Sequence, residues 1–73
     1  MAKYSATIFS NSTIHNFVDF EAASITAAKR HATRNLNYAY VGDTIRLYQF
    51  DTTGQRQLIS QKAFVSGARW VDY

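Results

Sequence analysis

The chain has two N-terminal stretches in which hydrophobic and polar residues alternate, the period typical of β-strands. Residues 3–9 form the first stretch and consist of β-favouring types throughout, and residues 14–20 form a second, less regular one. Ser10, Asn11 and Ser12 separate them with a turn composition. The pattern predicts an antiparallel hairpin. Its second strand is expected to place four side chains on one face: Ile14, Asn16, Val18 and Phe20.

The hydrophobic period lengthens to that of a helix between residues 21 and 34. Ser24 is expected to cap the helix N-terminus, because its hydroxyl can accept a hydrogen bond from a free backbone N–H. Asp19 and Glu21 precede it, where negative charge is favourable for the helix dipole. The helix is expected to end near residues 35–37, since asparagine tolerates the left-handed conformation that often closes a helix. Helical spacing gives a narrow apolar stripe of Ile25, Ala28, Ala32 and Leu36.

Three further strands are predicted after the helix: residues 44–50, 55–64 and 69–73. Residues 38–42 connect the helix to the first of them. Residues 51–54 form a hairpin loop with glycine late, where a positive φ is needed. The predicted order of elements is therefore ββαβββ.

This order is typical of an α+β domain: a single antiparallel sheet of about five strands with one α-helix packed on one face. Residues 1–73 are expected to form one domain, because a chain of this length has no room for a second core. One helix covers only part of such a sheet. We therefore expect aromatic residues on the other face, including Tyr48 and Phe50, to be exposed or to meet a partner.

Composition excludes several classes of protein. The chain has no cysteine, which excludes a disulfide, a thiolate nucleophile and a cysteine zinc site. A hydrophobic content of 47%, with five Phe, five Tyr and one Trp, argues against disorder. No apolar run approaches the ~20 residues of a membrane span, and the N-terminus lacks the composition of an export signal. We expect the protein to stay in the cytoplasm of the cell that makes it.

The net charge is +3, from eight Lys and Arg against five Asp and Glu. Lys29, Arg30 and Arg34 place three of these cations within six positions on the predicted helix. At about 100° per residue, Arg30 and Arg34 lie opposite the apolar stripe and point into solvent, while Lys29 lies at its margin. The helix itself carries no carboxylate to pair with them. It is therefore expected to contact the core with one side and to offer positive charge on the other.

The sequence brings together no set of catalytic groups. The only histidines, His15 and His31, fall on different predicted elements, and the five acidic residues are scattered over separate ones. The chain has no Gly-rich phosphate loop, no metal-ligand spacing and no nucleophile elbow. We therefore expect no enzymatic activity, no metal or cofactor, and no small-molecule ligand.

Nucleic-acid binding is an open alternative. Arg46, Tyr48 and Phe50 alternate onto one face of a predicted strand, an arrangement similar to sheets that stack single-stranded bases on aromatic rings. The RNA-binding sheet fold, however, has two helices and a distinct aromatic motif, and neither is predicted here. A small DNA- or RNA-binding regulator, using the basic helix face and the sheet aromatics, remains the second hypothesis.

Two stretches of the sequence are similar to a known family. The first is EAASITAAKRHAT, together with Gly42 and Ile45-Arg46-Leu47 that follow it, and the second is GARWVDY at the C-terminus. They resemble the family of the ninth-named phage anti-CRISPR inhibitor of the type I-F system. That family has a Glu-Ala-Ala-Ser-aliphatic-Thr helix start, a Lys-Arg pair, a Gly-Thr-x-x-Arg-Ile strand and an Arg-Trp-Val-Asp ending. The similarity covers roughly residues 20–73. It implies a helix packed on a five-stranded antiparallel sheet.

The resemblance also implies a partner. Such inhibitors bind the backbone subunits of the crRNA-guided surveillance complex, in the channel where target DNA pairs with the guide, inside the infected bacterial host. They are also associated with weak, non-specific binding of duplex DNA. Family members use lysine and arginine to occupy a surface that normally holds DNA phosphate. Carried over by position, the contact residues are Lys29, Arg30, Arg34, Lys62 and Arg69, with Asn35 or Asn37 replacing a polar residue near the helix end.

Overall fold

The computed structural model describes residues 1–36, 42–65 and 67–73. In these residues the chain forms five strands and one helix: β1 (Ala2–Ser10), β2 (Thr13–Ala22), α1 (Ile25–Asn35), β3 (Thr44–Phe50), β4 (Arg56–Ala63) and β5 (Val71–Asp72). The strands form one antiparallel sheet in the order β2-β1-β3-β4-β5. The predicted ββαβββ fold, with one helix on one face of the sheet, is confirmed. Most of the predicted connection before β3, residues 38–41, lies outside the described residues.

The hydrophobic core lies between helix α1 and one face of the sheet. Ile45 and Leu47 on the central strand β3 are fully buried, and Ala28 and Ala32 pack against the core from the helix. Small side chains at these two positions let the helix backbone come close to the sheet. Ile25 was expected in the same stripe but is 45% exposed. Burial begins one turn later, at Ala28, so the first turn of the helix stands off the sheet.

Both ends of helix α1 use side chains to satisfy backbone groups. At the N-terminus the Ser24 hydroxyl accepts a hydrogen bond from the backbone N–H of Ala27 at 3.1 Å, which confirms the predicted cap. At the C-terminus the helix ends on Asn35, and Leu36 follows as a fully buried cap residue that donates its N–H to the Ala32 carbonyl O. A buried Leu36 fixes the position of the helix end against the core.

The chain's own side chains cover the sheet face opposite α1. Phe17 of β2 and Tyr48 of β3 meet above the intervening strand β1, with ring centroids 5.8 Å apart. The Arg56 guanidinium lies over Phe17, 4.3 Å from the ring centroid. Ser5 and Thr7, two of the β1 residues on this face, are fully buried. An aromatic and guanidinium layer therefore takes the place of a second helix on this side.

Hydrogen bonds fix this layer to the sheet. Ser5 Oγ donates to Asp19 Oδ1 at 2.7 Å, and Arg56 donates to both, with Nε 3.3 Å from Ser5 Oγ and Nη2 3.4 Å from Asp19 Oδ1. The bond from Ser5, with smaller contributions from Arg56, lowers the pKa of Asp19. Asp19 therefore belongs to the sheet, and its predicted role at the helix N-terminus is wrong. Tyr48 and Phe50, expected to be exposed or to meet a partner, are half-buried within the chain.

A β-bulge interrupts strand β2. The pairing shifts from Ala6–Val18 to Ile8–His15, with one residue between these pairs on β1 and two on β2. Paired residues of antiparallel strands share a face, so the extra residue reverses the alternation. Ile14 and Val18 consequently lie on opposite faces, and the prediction that they share one is wrong. Ile14 is 46% exposed at the sheet edge.

The β1–β2 hairpin turns through Asn11 and Ser12, whose φ angles are 51° and 61°. Two positive φ values define a type I′ turn, which favours glycine at the second position. Ser12→Gly is expected to raise the free energy of unfolding by about 0.5–1 kcal/mol, because glycine adopts this conformation without strain. Urea denaturation measures the change. The control Ser10→Gly, inside β1, is expected to lower stability, and a destabilised Ser12→Gly protein would contradict the turn assignment.

Asp51 organises the β3–β4 loop. Its Oδ1 accepts hydrogen bonds from the Thr53 hydroxyl at 2.6 Å, the Thr53 N–H at 2.9 Å and the Gln55 N–H at 3.0 Å. Gln57 Nε2 donates to Oδ2 at 3.1 Å. Gly54 has a φ of +86°, as the loop pattern predicts. The bond from the Thr53 hydroxyl, followed by those from Gln55 and Gln57, lowers the pKa of Asp51 from 3.8 to about 2.

Asp51 therefore makes stability depend on pH in the acid range. Because its pKa is lower in the folded than in the unfolded chain, its stabilisation is complete above about pH 4 and is lost as the pH falls towards 2. Asp51→Asn is expected to show a smaller fall in Tm across this range than the wild type, because it has no carboxyl group to protonate. Thermal unfolding measured between about pH 5 and pH 2 tests this. Thr53→Val, which lacks the hydroxyl donor, should show part of the same effect. Parallel curves of Tm against pH for the wild type and both variants would contradict this role of Asp51.

Candidate functional site

A groove lies between helix α1 and the residue that precedes strand β5. It has a volume of about 470 Å³ and is open to solvent. Helical side chains form one wall and an indole ring forms the other. We call it the basic groove, and it is lined by Thr26, Lys29, Arg30, Thr33, Arg34 and Trp70. The structure thus brings together three of the predicted contact residues, the three cations of the helix.

The helix geometry explains why two of these cations point outwards. Ala28 and Ala32 are buried against the sheet, so Arg30 and Arg34, about half a turn away, are exposed. Side chains one turn apart are neighbours on a helix surface, with Cβ atoms about 5–6 Å apart. Neither guanidinium forms an ion pair with a carboxylate of the described residues. Together they can hold one planar anion through bidentate hydrogen bonds.

Lys29 is paired within the chain. Its Nζ lies 2.8 Å from Asp72 Oδ1, and the two side chains are 20% and 66% exposed. The hydrogen bond from Lys29, followed by one from Ser60, lowers the pKa of Asp72. The expectation that all three helical cations are unpaired is therefore wrong for Lys29, because β5 brings a carboxylate to the helix. The cations open to a partner on the helix are Arg30 and Arg34.

Strand β5 has only two residues, and side chains strengthen its pairing with β4. Ser60 Oγ lies 2.8 Å from Asp72 Oδ1 and 3.1 Å from the Val71 carbonyl O. Tyr73 donates its N–H to the Ile59 carbonyl O at 2.9 Å. Together with the Lys29–Asp72 ion pair, these bonds hold the C-terminal segment beside the helix and so position the indole wall of the groove.

Lys62 approaches the groove from β4. It pairs with Ile45, whose side chain is buried in the core beneath α1, so Lys62 lies on the helix side of the sheet. Its Nζ is 5.9 Å from the Trp70 ring centroid, at the outer limit of a cation–π contact. A fourth predicted contact residue therefore borders the groove without lining it.

The other predicted contact residues do not line the groove. Arg69 is exposed and comes immediately before Trp70 in the chain. Asn35 uses its side-chain amide to donate to the His31 carbonyl O at 2.9 Å, which satisfies the end of the helix. Asn37 lies outside the described residues, and its role stays a prediction.

Sequence reasoning missed the wall formed by Trp70 and the carboxylate of Asp72. The sequence did contain enough information to place these two side chains on the same face, because residues two apart in a strand share a face. Trp70 and Asp72 therefore had to project together from the last predicted strand. The element that this face meets depends on the strand order of the sheet, which the hydrophobic pattern does not specify.

On the opposite sheet face, cations of the chain already lie against its aromatic rings. The Arg46 guanidinium is 3.9 Å from the Phe9 ring centroid, and Lys3 Nζ is 5.0 Å from that of Phe50. Arg56 also lies 5.0 Å from the Phe50 centroid. Rings covered in this way present less surface on which a nucleic-acid base can stack. The side chains on this face are therefore engaged in contacts that stabilise the fold. The basic groove is the stronger candidate for contact with a partner.

Residues 1–36, 42–65 and 67–73 lack two kinds of feature. No cluster of three or more His, Cys, Asp or Glu in these ranges could hold a metal ion. No helix there has the length and apolar character needed to cross a bilayer.

Comparison of the chain with protein-family models, with curated proteins and with solved structures found no match. The fold and the groove define a small α+β domain with a basic surface on its helix side. The chemistry of that surface and the sequence motifs within residues 20–73 are the two grounds for assigning a function.

Proposed function

We propose that this protein is a non-enzymatic phage inhibitor of a type I CRISPR surveillance complex, most specifically of type I-F. It binds the backbone subunits of the complex in the cytoplasm of the infected host and blocks hybridisation of target DNA. One observation carries the proposal: Arg30 and Arg34 are exposed beside Trp70, and neither pairs with a carboxylate in the part of the chain that the structure describes. Both arginines fall within the helix motif that resembles the type I-F inhibitor family.

The charge of the groove also constrains how such an inhibitor acts. A protein surface that holds DNA phosphate is electropositive, so a basic inhibitor does not imitate DNA by its charge. It must pair with acidic or polar groups that lie beside the nucleic-acid path. Arginine suits this role, because its planar guanidinium makes two parallel hydrogen bonds to a carboxylate.

The division of cations between the two faces supports this proposal. On the sheet face, Lys3, Arg46 and Arg56 lie against aromatic rings of the chain itself. On the helix face, Arg30 and Arg34 have no such contact among the described residues. The helix is held by its buried side and needs neither arginine for packing. A surface charge without a structural role is the kind expected to serve a partner.

Gel filtration with purified type I-F surveillance complex tests the proposal. The protein is expected to co-elute with the complex and to prevent it from binding target duplex in an electrophoretic mobility-shift assay. If the protein elutes separately from the complex at micromolar concentrations, the type I-F assignment is wrong. Interference assays across several type I subtypes would then identify the system that is inhibited, or exclude all of them.

A small nucleic-acid-binding regulator is the second candidate. The observation in its favour is Trp70 beside two guanidiniums, a composition also found where single strands stack on aromatic residues. It predicts micromolar or tighter binding of free DNA or RNA in the absence of any protein partner, with affinity falling steeply as salt rises. The inhibitor proposal includes only a weak, salt-sensitive association with duplex DNA, so a titration of free protein with oligonucleotides separates the two.

A further inference from the structure

The basic groove places an apolar surface next to paired positive charges. Trp70 supplies the apolar wall, and Arg30 and Arg34 lie across from it on the helix. Lys29, deeper at the helix margin, already binds one carboxylate, that of Asp72, at 2.8 Å. The groove thus offers two kinds of contact, an apolar ring and paired guanidiniums, in one place. The matching ligand has an apolar group and a negative charge side by side.

We propose that the groove receives an acidic segment of the partner protein, in which an apolar side chain packs on Trp70 and a neighbouring carboxylate pairs with Arg30 and Arg34. The inference rests on the proposed function, since it names the chemistry of the backbone-subunit surface that is bound. Tryptophan and arginine are the residue types most enriched among those that dominate binding energy at protein interfaces. Trp70 is therefore a contact residue, in addition to the cations that the sequence indicates.

The charge distribution favours an acidic protein segment over a nucleic-acid strand. A strand carries a phosphate at every nucleotide and needs cations repeated along its path. In the groove, Lys29 is already neutralised by Asp72, and the Asp72 carboxylate is 66% exposed. That carboxylate repels a continuous polyanion. The two arginines, one helical turn apart, instead form a short site suited to a single carboxylate.

The groove contains the chain's only tryptophan, so tryptophan fluorescence reports directly on its occupancy. The wild-type protein is titrated with a short synthetic peptide carrying Leu-Glu pairs between glycines and serines. The same peptide with Gln for Glu is the matched control, and a thymidylate oligonucleotide of similar length is the third probe. We expect the acidic peptide to bind at least about tenfold more tightly than either of the other two.

Variants locate the binding to the groove. Arg30→Gln/Arg34→Gln is expected to weaken binding of the acidic peptide about tenfold. Lys3→Gln, compared with Arg34→Gln alone, removes one charge from the opposite face and is expected to leave the affinity within about twofold. Circular dichroism confirms that each variant is folded. Equal affinity for the Glu and Gln peptides, or tighter binding of the oligonucleotide, overturns the inference.

A measurement on the surveillance complex separates this inference from the proposed function. Trp70→Ala is expected to lower the affinity for the complex at least about tenfold, as desolvated interface tryptophans do. If Trp70→Ala binds the complex as tightly as the wild type, the groove is not the contact, although the protein is still an inhibitor. If the wild type fails to bind, the proposed function itself is wrong, whatever the peptide titrations show.

Discussion

Replacing Ile45 by alanine is expected to lower the free energy of unfolding by about 2–5 kcal/mol, the range for deleting a large buried aliphatic side chain. Ile45 is fully buried on the central strand, between β1 and β4 and beneath the helix. A domain of this size has a total stability of roughly 4–11 kcal/mol. The substitution is therefore expected to remove a large share of the total stability of the domain.

Ile14→Ala is the matched control for this substitution. It removes the same atoms from a strand residue that is 46% exposed, so little apolar surface returns to water and no internal cavity forms. We expect a loss of less than about 1 kcal/mol. Urea denaturation followed by circular dichroism measures both variants. Similar losses at the two positions would mean that the core does not lie between the helix and β3.

Reversing the charges of Arg30 and Arg34 is expected to abolish inhibition while the protein remains folded. Both side chains are exposed and pack neither in the hydrophobic core nor in the aromatic and guanidinium layer. Arg30→Glu/Arg34→Glu should therefore lose less than about 1 kcal/mol of stability, mainly because Arg34 lies in the last helical turn. Binding to the surveillance complex is expected to weaken at least about 100-fold, because each arginine would then face the partner's carboxylate with a like charge.

A pair of single variants separates a specific contact from a general loss of positive charge. Arg34→Glu and Lys3→Glu change the net charge equally, but only Arg34 lines the groove. We expect Arg34→Glu to weaken inhibition in an interference assay and Lys3→Glu to leave it unchanged. Full inhibition by the double arginine variant would show that the helix face is not the contact. Equal effects of the two single variants would indicate long-range electrostatics instead.

Local rules account for the parts of the fold that were predicted correctly. Ser24 caps the helix because its hydroxyl reaches a nearby backbone N–H, and Gly54 takes a positive φ within its own loop. Ala28 and Ala32 follow from helical spacing. Each of these features depends on residues within a few positions of one another. Sequence spacing alone is sufficient to place them.

Three of the incorrect predictions depend on how separate elements of the fold contact one another. Lys29 pairs with Asp72, which is 43 positions away in sequence and reaches the helix only because β5 lies next to β4. Asp19 accepts hydrogen bonds from Ser5 on the neighbouring strand β1 and from Arg56 on strand β4. The bulge that turns Ile14 to the other face depends on how β2 pairs with β1. No local pattern specifies these partners.

The candidate site was predictable in its charge but not in its shape. Helical periodicity places Arg30 and Arg34 outwards, and the structure agrees. The wall that makes the surface concave comes from Trp70, whose position depends on the pairing of a two-residue strand. Its role in binding a partner therefore arises from the tertiary structure, and it stays a proposal until the variants are measured.

The aromatic and guanidinium layer on the second sheet face has a consequence for how this protein can change during evolution. Stability is provided by two inward-facing sets of residues, while the outer surface of the helix contributes to neither. Mutations at positions 30 and 34 can therefore accumulate with little effect on folding. If the protein is the phage inhibitor proposed above, its lineage can follow changes in the host's defence proteins by altering that surface alone, and homologues should diverge there faster than beneath the helix.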